Sequence, residues 1–312
     1  MSPSGWRLVI VLSLWGIVTL PSLIVWVERA AAHSDVDPEI AELTLELAEQ
    51  PENVELLLER GQLYRFNGQY SKSLTDLEQA WFLDQTNRQV ALARCRTLMA
   101  LGRDQDAEAA LDQYLQGEAG VSRVVALSER AHLYARTDRV ELAIADFTEA
   151  LSLYPTVELY VARGHLQEKL GRLEAAAAGY SEGLGHLAQA KLLRQELIRV
   201  KIAQGDYPEA LILIDTELAE APVKTEWHLR RAEVLGALGR TAAMNNARVQ
   251  ALAEANRAFA KRPTALHRVA RAKVYQALGQ LEAAKHDLRR AVQAAPRFTE
   301  AQDLLKRLEA VQ

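Results

Sequence analysis

One glycine recurs along this 312-residue chain at intervals close to 34 residues. The six copies are Gly68, Gly102, Gly171, Gly205, Gly239 and Gly279. Successive gaps are 34, 69, 34, 34 and 40 residues, and the double gap contains Asp138, 36 residues after Gly102 and 33 before Gly171. Seven units of nearly constant length predict a repeat protein, in which each unit is too small to bury a core alone and must stack on its neighbours.

The residues around the recurring position predict that each unit is a pair of helices. A run with helical periodicity precedes each glycine, and glycine can take the left-handed backbone that ends a helix without a Cβ penalty. Asp138 belongs to the few other residue types that tolerate this conformation. A second helical run follows directly, and four of these second runs stop near a proline: Pro155, Pro222, Pro263 and Pro296. We therefore predict an all-α fold.

The order of residues within one unit resembles the tetratricopeptide repeat. From Val124 to Val157 the small, aromatic and proline positions of that family are occupied in order by Ala131, Tyr134, Val140, Ala143, Phe147, Ala150 and Pro155. The last unit matches nearly as well, with Ala272, Tyr275, Gly279, Ala284, Leu288, Ala291 and Pro296. The resemblance implies a right-handed α-solenoid of helix–turn–helix repeats, in which the first helix of each hairpin lines an inner groove.

The repeat phase predicts how the chain is divided. The predicted segments are a hydrophobic N-terminal helix at 1–32, a linker and capping helix at 33–53, seven repeats at 54–87, 88–123, 124–156, 157–190, 191–224, 225–264 and 265–298, and a capping helix at 299–312. The first cap directs Ile40, Leu43 and Leu47 inward, and the second Ala301, Leu304, Leu305 and Leu308. The sixth repeat departs from the pattern: it is six residues longer, puts Met244 and Arg248 at core positions, and predicts an extended or shifted second helix.

The N-terminal segment predicts export across the cytoplasmic membrane. Leu8–Val27 contains no charged residue, and 20 residues at about 1.5 Å each suffice to span a bilayer core. Ala30–Ala32 suits signal-peptide cleavage, whereas the length of the apolar run suits an uncleaved signal-anchor. Both hypotheses, a cleaved signal peptide and a retained signal-anchor, place the rest of the chain in the periplasm or outside the cell. The chain would be anchored through residues 8–27 if the segment is retained.

The sequence offers no enzyme motif and no prediction of a cofactor or metal. It lacks a P-loop, GxGxxG, GxSxG, HExxH and CxxC. His33 to Asp37 contains three possible metal ligands, but we interpret it as a solvated linker, and the single cysteine, Cys95, as a small buried residue. The net charge of −4 gives no basis for nucleic-acid binding, which needs a basic surplus.

The resemblance places ligand contacts beside the small position of each first helix. These residues are Gln62, Arg96, His132, His165, Arg199, Glu233 and Lys273. Because the middle of this set is polar and potentially cationic, it favours an extended, acidic peptide held by charge-assisted hydrogen bonds. The leading hypothesis is a non-enzymatic exported scaffold that binds a peptide or partner protein in its groove. The alternative is a membrane-tethered accessory subunit of an envelope enzyme or of a secretion or assembly complex.

Overall fold

The computed structural model describes residues 37–117, 120–187 and 190–310. All regular elements in these ranges are α-helices, 16 in number, so the all-α prediction is confirmed. The helices fall into two compact units, one up to residue 118 and one from residue 119 onward. The predicted hydrophobic helix at 1–32 lies outside the described residues. Within them, no helix has the length and apolar character needed to cross a membrane.

Unit 1 contains a single helix followed by two hairpins. Its helices are α1 (Asp37–Glu49), α2 (Val54–Phe66), α3 (Tyr70–Leu83), α4 (Arg88–Ala100) and α5 (Asp104–Leu115). Asn53 and Asn87 cap α2 and α4, because their side chains accept hydrogen bonds from first-turn N–H groups. The inward residues predicted for α1, Ile40, Leu43 and Leu47, are all buried. Each helix packs on the next, and the first helices α2 and α4 also touch.

Unit 2 contains five hairpins and a last single helix. Its helices are α6 (Gly120–Arg136), α7 (Val140–Leu153), α8 (Val157–Lys169), α9 (Leu173–His186), α10 (Lys191–Gln204), α11 (Tyr207–Glu220), α12 (Thr225–Ala237), α13 (Thr241–Lys261), α14 (Ala265–Ala277), α15 (Leu281–Ala294) and α16 (Thr299–Ala310). Successive helices pack on one another, and so do the first helices α8 with α10 and α12 with α14. On α16, Ala301 and Leu308 are buried while Leu304 and Leu305 are partly buried.

The turn inside each hairpin has the backbone conformation that the sequence predicts. All six recurring glycines have φ between 70° and 77°. Asp138 has φ of 61° and is the one non-glycine residue with positive φ in the described part of the chain. At these positions an L-residue with a Cβ is strained, since its Cβ crowds the following carbonyl. The predicted left-handed turn between the two helices of each hairpin is therefore confirmed.

The small position of each first helix lets the second helix approach closely. A Cβ on Gly164 would lie 2.3 Å from Tyr180 Cζ, and one on Gly61 would lie 2.9 Å from Leu77 Cγ. Cys95, at the equivalent position of α4, is fully buried as predicted. Ile198 departs from the small type, yet it is fully buried and packs in a cluster with Ala210 and Ile214.

Each of three hairpins contains an internal ion pair that the sequence analysis did not predict. An arginine directly before the small position binds an aspartate 16 residues later, through two hydrogen bonds of 2.6–2.8 Å. The pairs are Arg60–Asp76, Arg130–Asp146 and Arg271–Asp287. The aspartates are buried, with side-chain exposures of 6%, 8% and 2%. Since buried charges are stabilised only when paired, each pair ties the two helices of its hairpin together.

The sixth repeat confirms the extended second helix but corrects its core. α13 has 21 residues, whereas α7, α9, α11 and α15 each have 14. The predicted core residues Met244 and Arg248 are only partly buried. The buried residues are instead Ala247, Ala251 and Ala255, because a four-residue spacing keeps three alanines on one helical face.

Candidate functional site

The predicted site residues lie on a shared kind of surface, which we call the first-helix face. It is formed, within each unit, by the first helices of the hairpins on the side that follows the small position. Gln62 and Arg96 belong to unit 1, and the other five belong to unit 2. Six of the seven are exposed and Lys273 is half-buried, so all seven are accessible side chains.

The first-helix face of unit 1 contains a groove between α2 and α4. The groove has a volume of about 700 Å³ and is lined by Glu55, Leu58, Glu59 and Gln62 of α2 together with Arg88 and its neighbours. A second groove of about 310 Å³ joins Glu59 to three carboxylates of α1: Glu39, Glu42 and Glu46. Gln62 therefore shares its groove with two carboxylates, Glu55 and Glu59, and one cation, Arg88, which gives no positive surplus for an acidic ligand. Arg96 is exposed but does not line either groove.

The first-helix face of unit 2 brings Glu233 and Lys273 into one groove. The groove lies between α12 and α14 and has a volume of about 560 Å³. Its other polar groups are Glu226, Arg248 and Gln276, and its apolar wall includes Leu229 and Leu304. The groove thus combines hydrogen-bond donors and acceptors with apolar side chains. Such a surface can bind the N–H and C=O groups of an extended chain as well as an apolar side chain.

Two of the groove's charges depend on their neighbours. Glu233 is exposed as a residue, but partial desolvation of its carboxylate, and then the nearby carboxylate of Glu226, raise its pKa. Both causes disfavour the charged form of a carboxylate. Lys273 Nζ lies 2.7 Å from Glu300 Oε1 of α16, so its charge is partly neutralised. A cationic group or an N–H donor of a ligand would therefore stabilise the charged form of Glu233.

His165 and Arg199 are also brought together, but as part of a carboxylate network. The Arg199 guanidinium binds Glu168 Oε2 of α8 at 2.5 Å and Glu196 Oε2 of α10 at 2.6 Å. His165 Nε2 lies 3.3 Å from the same Glu196 oxygen. The expectation of a cationic middle is wrong around Arg199, because two carboxylates offset its single positive charge.

Tyr180 completes this network from the second helix α9. Its hydroxyl donates to Glu168 Oε1 at 2.9 Å. Burial opposes ionisation of Glu168, but the hydrogen bonds from Arg199 and Tyr180 outweigh it and lower its pKa. The ligand atoms of His165, Glu168 and Glu196 lie within 4.8 Å of one another. The guanidinium of Arg199 already satisfies both carboxylates, so we assign this cluster a structural role between α8 and α10.

His132 is the remaining predicted residue, on α6. Its ring packs edge-on against Phe147, with centroids 5.2 Å apart and an interplanar angle of 79°. His132 is nevertheless an exposed residue. It therefore contributes to packing between α6 and α7 as well as to the surface.

Comparison with known proteins supports the repeat assignment. The tetratricopeptide repeat family model matches residues 125–156 and 268–298. The C-terminal part of a TPR repeat-containing protein from Cytophaga hutchinsonii matches with 13% identity and a TM-score of 0.56, covering 79% of this chain and 98% of that one. No curated protein matches the chain.

Two further solved structures are similar at lower scores. A tetratricopeptide repeat protein from Parabacteroides merdae is 21% identical over 82% of this chain and 98% of its own, with a TM-score of 0.47. A thermophilic TPR protein in Thermus thermophilus is 20% identical over 60% of this chain and 100% of its own, with a TM-score of 0.41. Residues 125–156 and 268–298 are tetratricopeptide repeats, and the chain shares the fold of a tetratricopeptide-repeat protein.

Proposed function

We propose that the protein is a non-enzymatic scaffold that binds a peptide segment or a partner protein on its first-helix face. The observation that carries this proposal is the groove between α12 and α14, where the predicted residues Glu233 and Lys273 share an accessible, partly apolar cleft. Clefts of this size with a few convergent polar groups are the usual form of a binding site. Repeats of this family, found here at two places, are typical of protein–protein interaction scaffolds.

The charged and apolar residues of the groove between α12 and α14 indicate which kind of peptide it can bind. An acidic segment, which the sequence favours, would meet Glu226 and Glu233 here. We therefore propose an extended segment with an apolar residue for Leu229 and Leu304, a donor or cation for Glu233, and an acceptor for Arg248. No role in nucleic-acid binding is proposed, because the chain has a net charge of −4.

Filling the groove tests the proposal without removing a contact. Peptides that bind the full-length chain, kept in neutral detergent, are selected from a displayed random library. Gln276, exposed on α14, is then replaced by tryptophan, and Gln276→Trp should weaken the selected peptides by about tenfold or more because its ring occupies the cleft. The matched control is Gln293→Trp on the exposed surface of α15. Equal affinities for the two variants would rule out this groove.

Export is part of the proposal, and the apolar run Leu8–Val27 supports it. Cleavage after Ala32 would release a periplasmic or extracellular protein, whereas retention would tether it as an accessory subunit of an envelope enzyme or of a secretion or assembly complex. The intact mass of the mature protein distinguishes these cases, since a chain that starts at His33 excludes the tether. Recovery of the full chain in the cytosolic fraction would contradict export.

A further inference from the structure

The extension of α13 creates a second pocket in unit 2. The seven residues by which α13 exceeds the 14-residue second helices add about 10 Å of helix. This extension forms one wall of a pocket of about 560 Å³, and residues 222–225, at the entry to α12, form the opposite wall. The pocket shares no lining residue with the groove between α12 and α14.

The pocket concentrates positive charge. Four cations line it: Lys224, Arg257, Lys261 and Arg262. The only carboxylate among its lining residues is Glu254, whose Oε1 lies 3.1 Å from Arg257 Nη1. With His267 neutral, the lining carries a net charge of +3, in a chain whose net charge is −4. A local surplus of this sign attracts anionic groups and raises their local concentration.

The N-terminus of α12 also lies at the pocket. α12 begins at Thr225, the side chain of Lys224 before it makes no capping hydrogen bond, and Glu226 in the first turn offsets part of the helix-end charge. The first N–H groups of a helix carry partial positive charge and bind anions when no side chain caps them. Lys224 thus brings a charged side chain to the same end of the helix.

The wall of the pocket formed by α13 is held in place by contacts with α14. Phe259, on the extension, lies against two arginines of α14, with ring centroid distances of 4.1 Å to Arg271 and 4.7 Å to Arg268. Arg271 is itself fixed by its ion pair with Asp287. Cation–π contacts of this kind orient the extension so that Arg257 and Lys261 stay beside the pocket.

The shape of the pocket favours a peptide over a small anion. Its cations come from the segment before α12, from α13 and from the residue after α13. The lining also includes Pro222 and Val223, and Val223 is 65% exposed. A compact phosphate would leave this apolar part unused. A chain with several carboxylates and an apolar residue would use both.

We propose that this pocket binds an acidic segment of a protein partner, with carboxylates at Lys224, Lys261 and Arg262 and an apolar side chain at Pro222 and Val223. We thus assign a preference for acidic segments to this pocket, whereas the sequence analysis predicted one for the first-helix face. The site is additional to the groove of the proposed function, and each can fail without the other.

The test measures binding of a short capped peptide of glutamate and aspartate with one central leucine. Isothermal titration calorimetry with the full-length chain in neutral detergent should give saturable binding that weakens as salt rises from about 50 to 200 mM. Lys261→Glu combined with Arg262→Glu should weaken binding by about tenfold or more. Lys306→Glu, an exposed lysine of α16 outside the pocket, should change it by less than about twofold.

Two controls keep the result interpretable. Lys261→Gln with Arg262→Gln removes the charges without reversing them, and circular dichroism checks that helix content is unchanged. The Gln276→Trp variant should bind the acidic peptide normally, which separates this site from the α12–α14 groove. Equal affinity of the wild-type and the charge-reversed chain, or no binding at all, would overturn the proposal. So would tighter binding of inorganic phosphate or of single-stranded RNA than of the peptide.

Discussion

The buried pair Arg271–Asp287 gives the sharpest stability prediction. Asp287 accepts hydrogen bonds of 2.6 and 2.8 Å from Arg271, and Arg268 Nη1 lies 3.5 Å away. The Asp287 side chain is 2% exposed and that of Arg271 is 16% exposed. Asp287→Ala therefore leaves a largely buried guanidinium without its carboxylate. Breaking one side of a buried pair costs about 3–5 kcal/mol, and we expect about 3 because water can reach part of Arg271.

The exposed pair Arg231–Asp215 is the matched control. Its single contact is equally short, at 2.7 Å, but the side chains are 32% and 52% exposed. Asp215→Ala should cost less than about 1 kcal/mol, since exposed ion pairs contribute little. Replacing both partners in the double variant Arg271→Met with Asp287→Leu should recover part of the loss, because no uncompensated charge remains.

Urea unfolding of the full-length variants measures these differences. Hydrogen exchange assigns them to helices, because repeat arrays can unfold in parts. The Asp287→Ala variant should lose protection first in α14 and α15. If Asp287→Ala were no more destabilising than Asp215→Ala, the reasoning from burial and pairing would be refuted.

Two further predictions concern the hairpin α8–α9 and its contact with α10. Gly164→Ala should destabilise the chain by about 1–3 kcal/mol, because the new Cβ would overlap Tyr180. The control Gly185→Ala, on the open side of α9, should be neutral or stabilising by about 0.5–1 kcal/mol. Equal unfolding midpoints of the two variants in urea would contradict this prediction. The pKa of Glu168 is lower in the folded chain than its usual value of 4.5. The ionised Glu168 side chain therefore stabilises the fold above pH 4.5, and this stabilisation is lost as pH falls through the lowered pKa. Glu168→Gln should therefore flatten the acid side of the stability–pH curve, and an unchanged slope below about pH 4.5 would argue against the network with Arg199.

The backbone of the repeat could be predicted from sequence because it depends on local chemistry. Gly68 and its equivalents, and Asp138, mark turns whose φ values only a few residue types tolerate. The same locality explains why the inward residues of α1, such as Ile40 and Leu43, were predicted correctly. In both cases residues within one or two helical turns decide the outcome.

The charge of the site could not be predicted in this way because it depends on neighbouring hairpins. Arg199 is neutralised partly by Glu168, 31 residues earlier in the chain. The same separation joins Lys169 to Asp138 and Arg172 to Glu141. A search for opposite charges at that spacing would have found all three pairs. It would also have shown that a carboxylate offsets the charge of Arg199.

The internal Arg–Asp pairs carried a signal that was overlooked. Each arginine stands directly before the small position, and a tyrosine follows four residues later in all three hairpins, within 6 Å of the guanidinium. In the hairpin α8–α9 the aspartate is replaced by Gly179, and Arg163 instead reaches Glu182 at 2.8 Å. Arg94 and Arg231 also stand directly before a small position, but each pairs with a carboxylate 16 residues earlier, Glu78 and Asp215. The spacing of 16 residues is therefore visible in the sequence, but its direction differs between hairpins.

Hydrogen exchange of the full-length chain, with and without a peptide selected for the first-helix face, shows directly whether ligands bind on that face. We expect new protection in the first helices α12 and α14, residues 225–237 and 265–277, with α15 unchanged. Protection confined to the second helices, or no protection at saturating peptide, would contradict it.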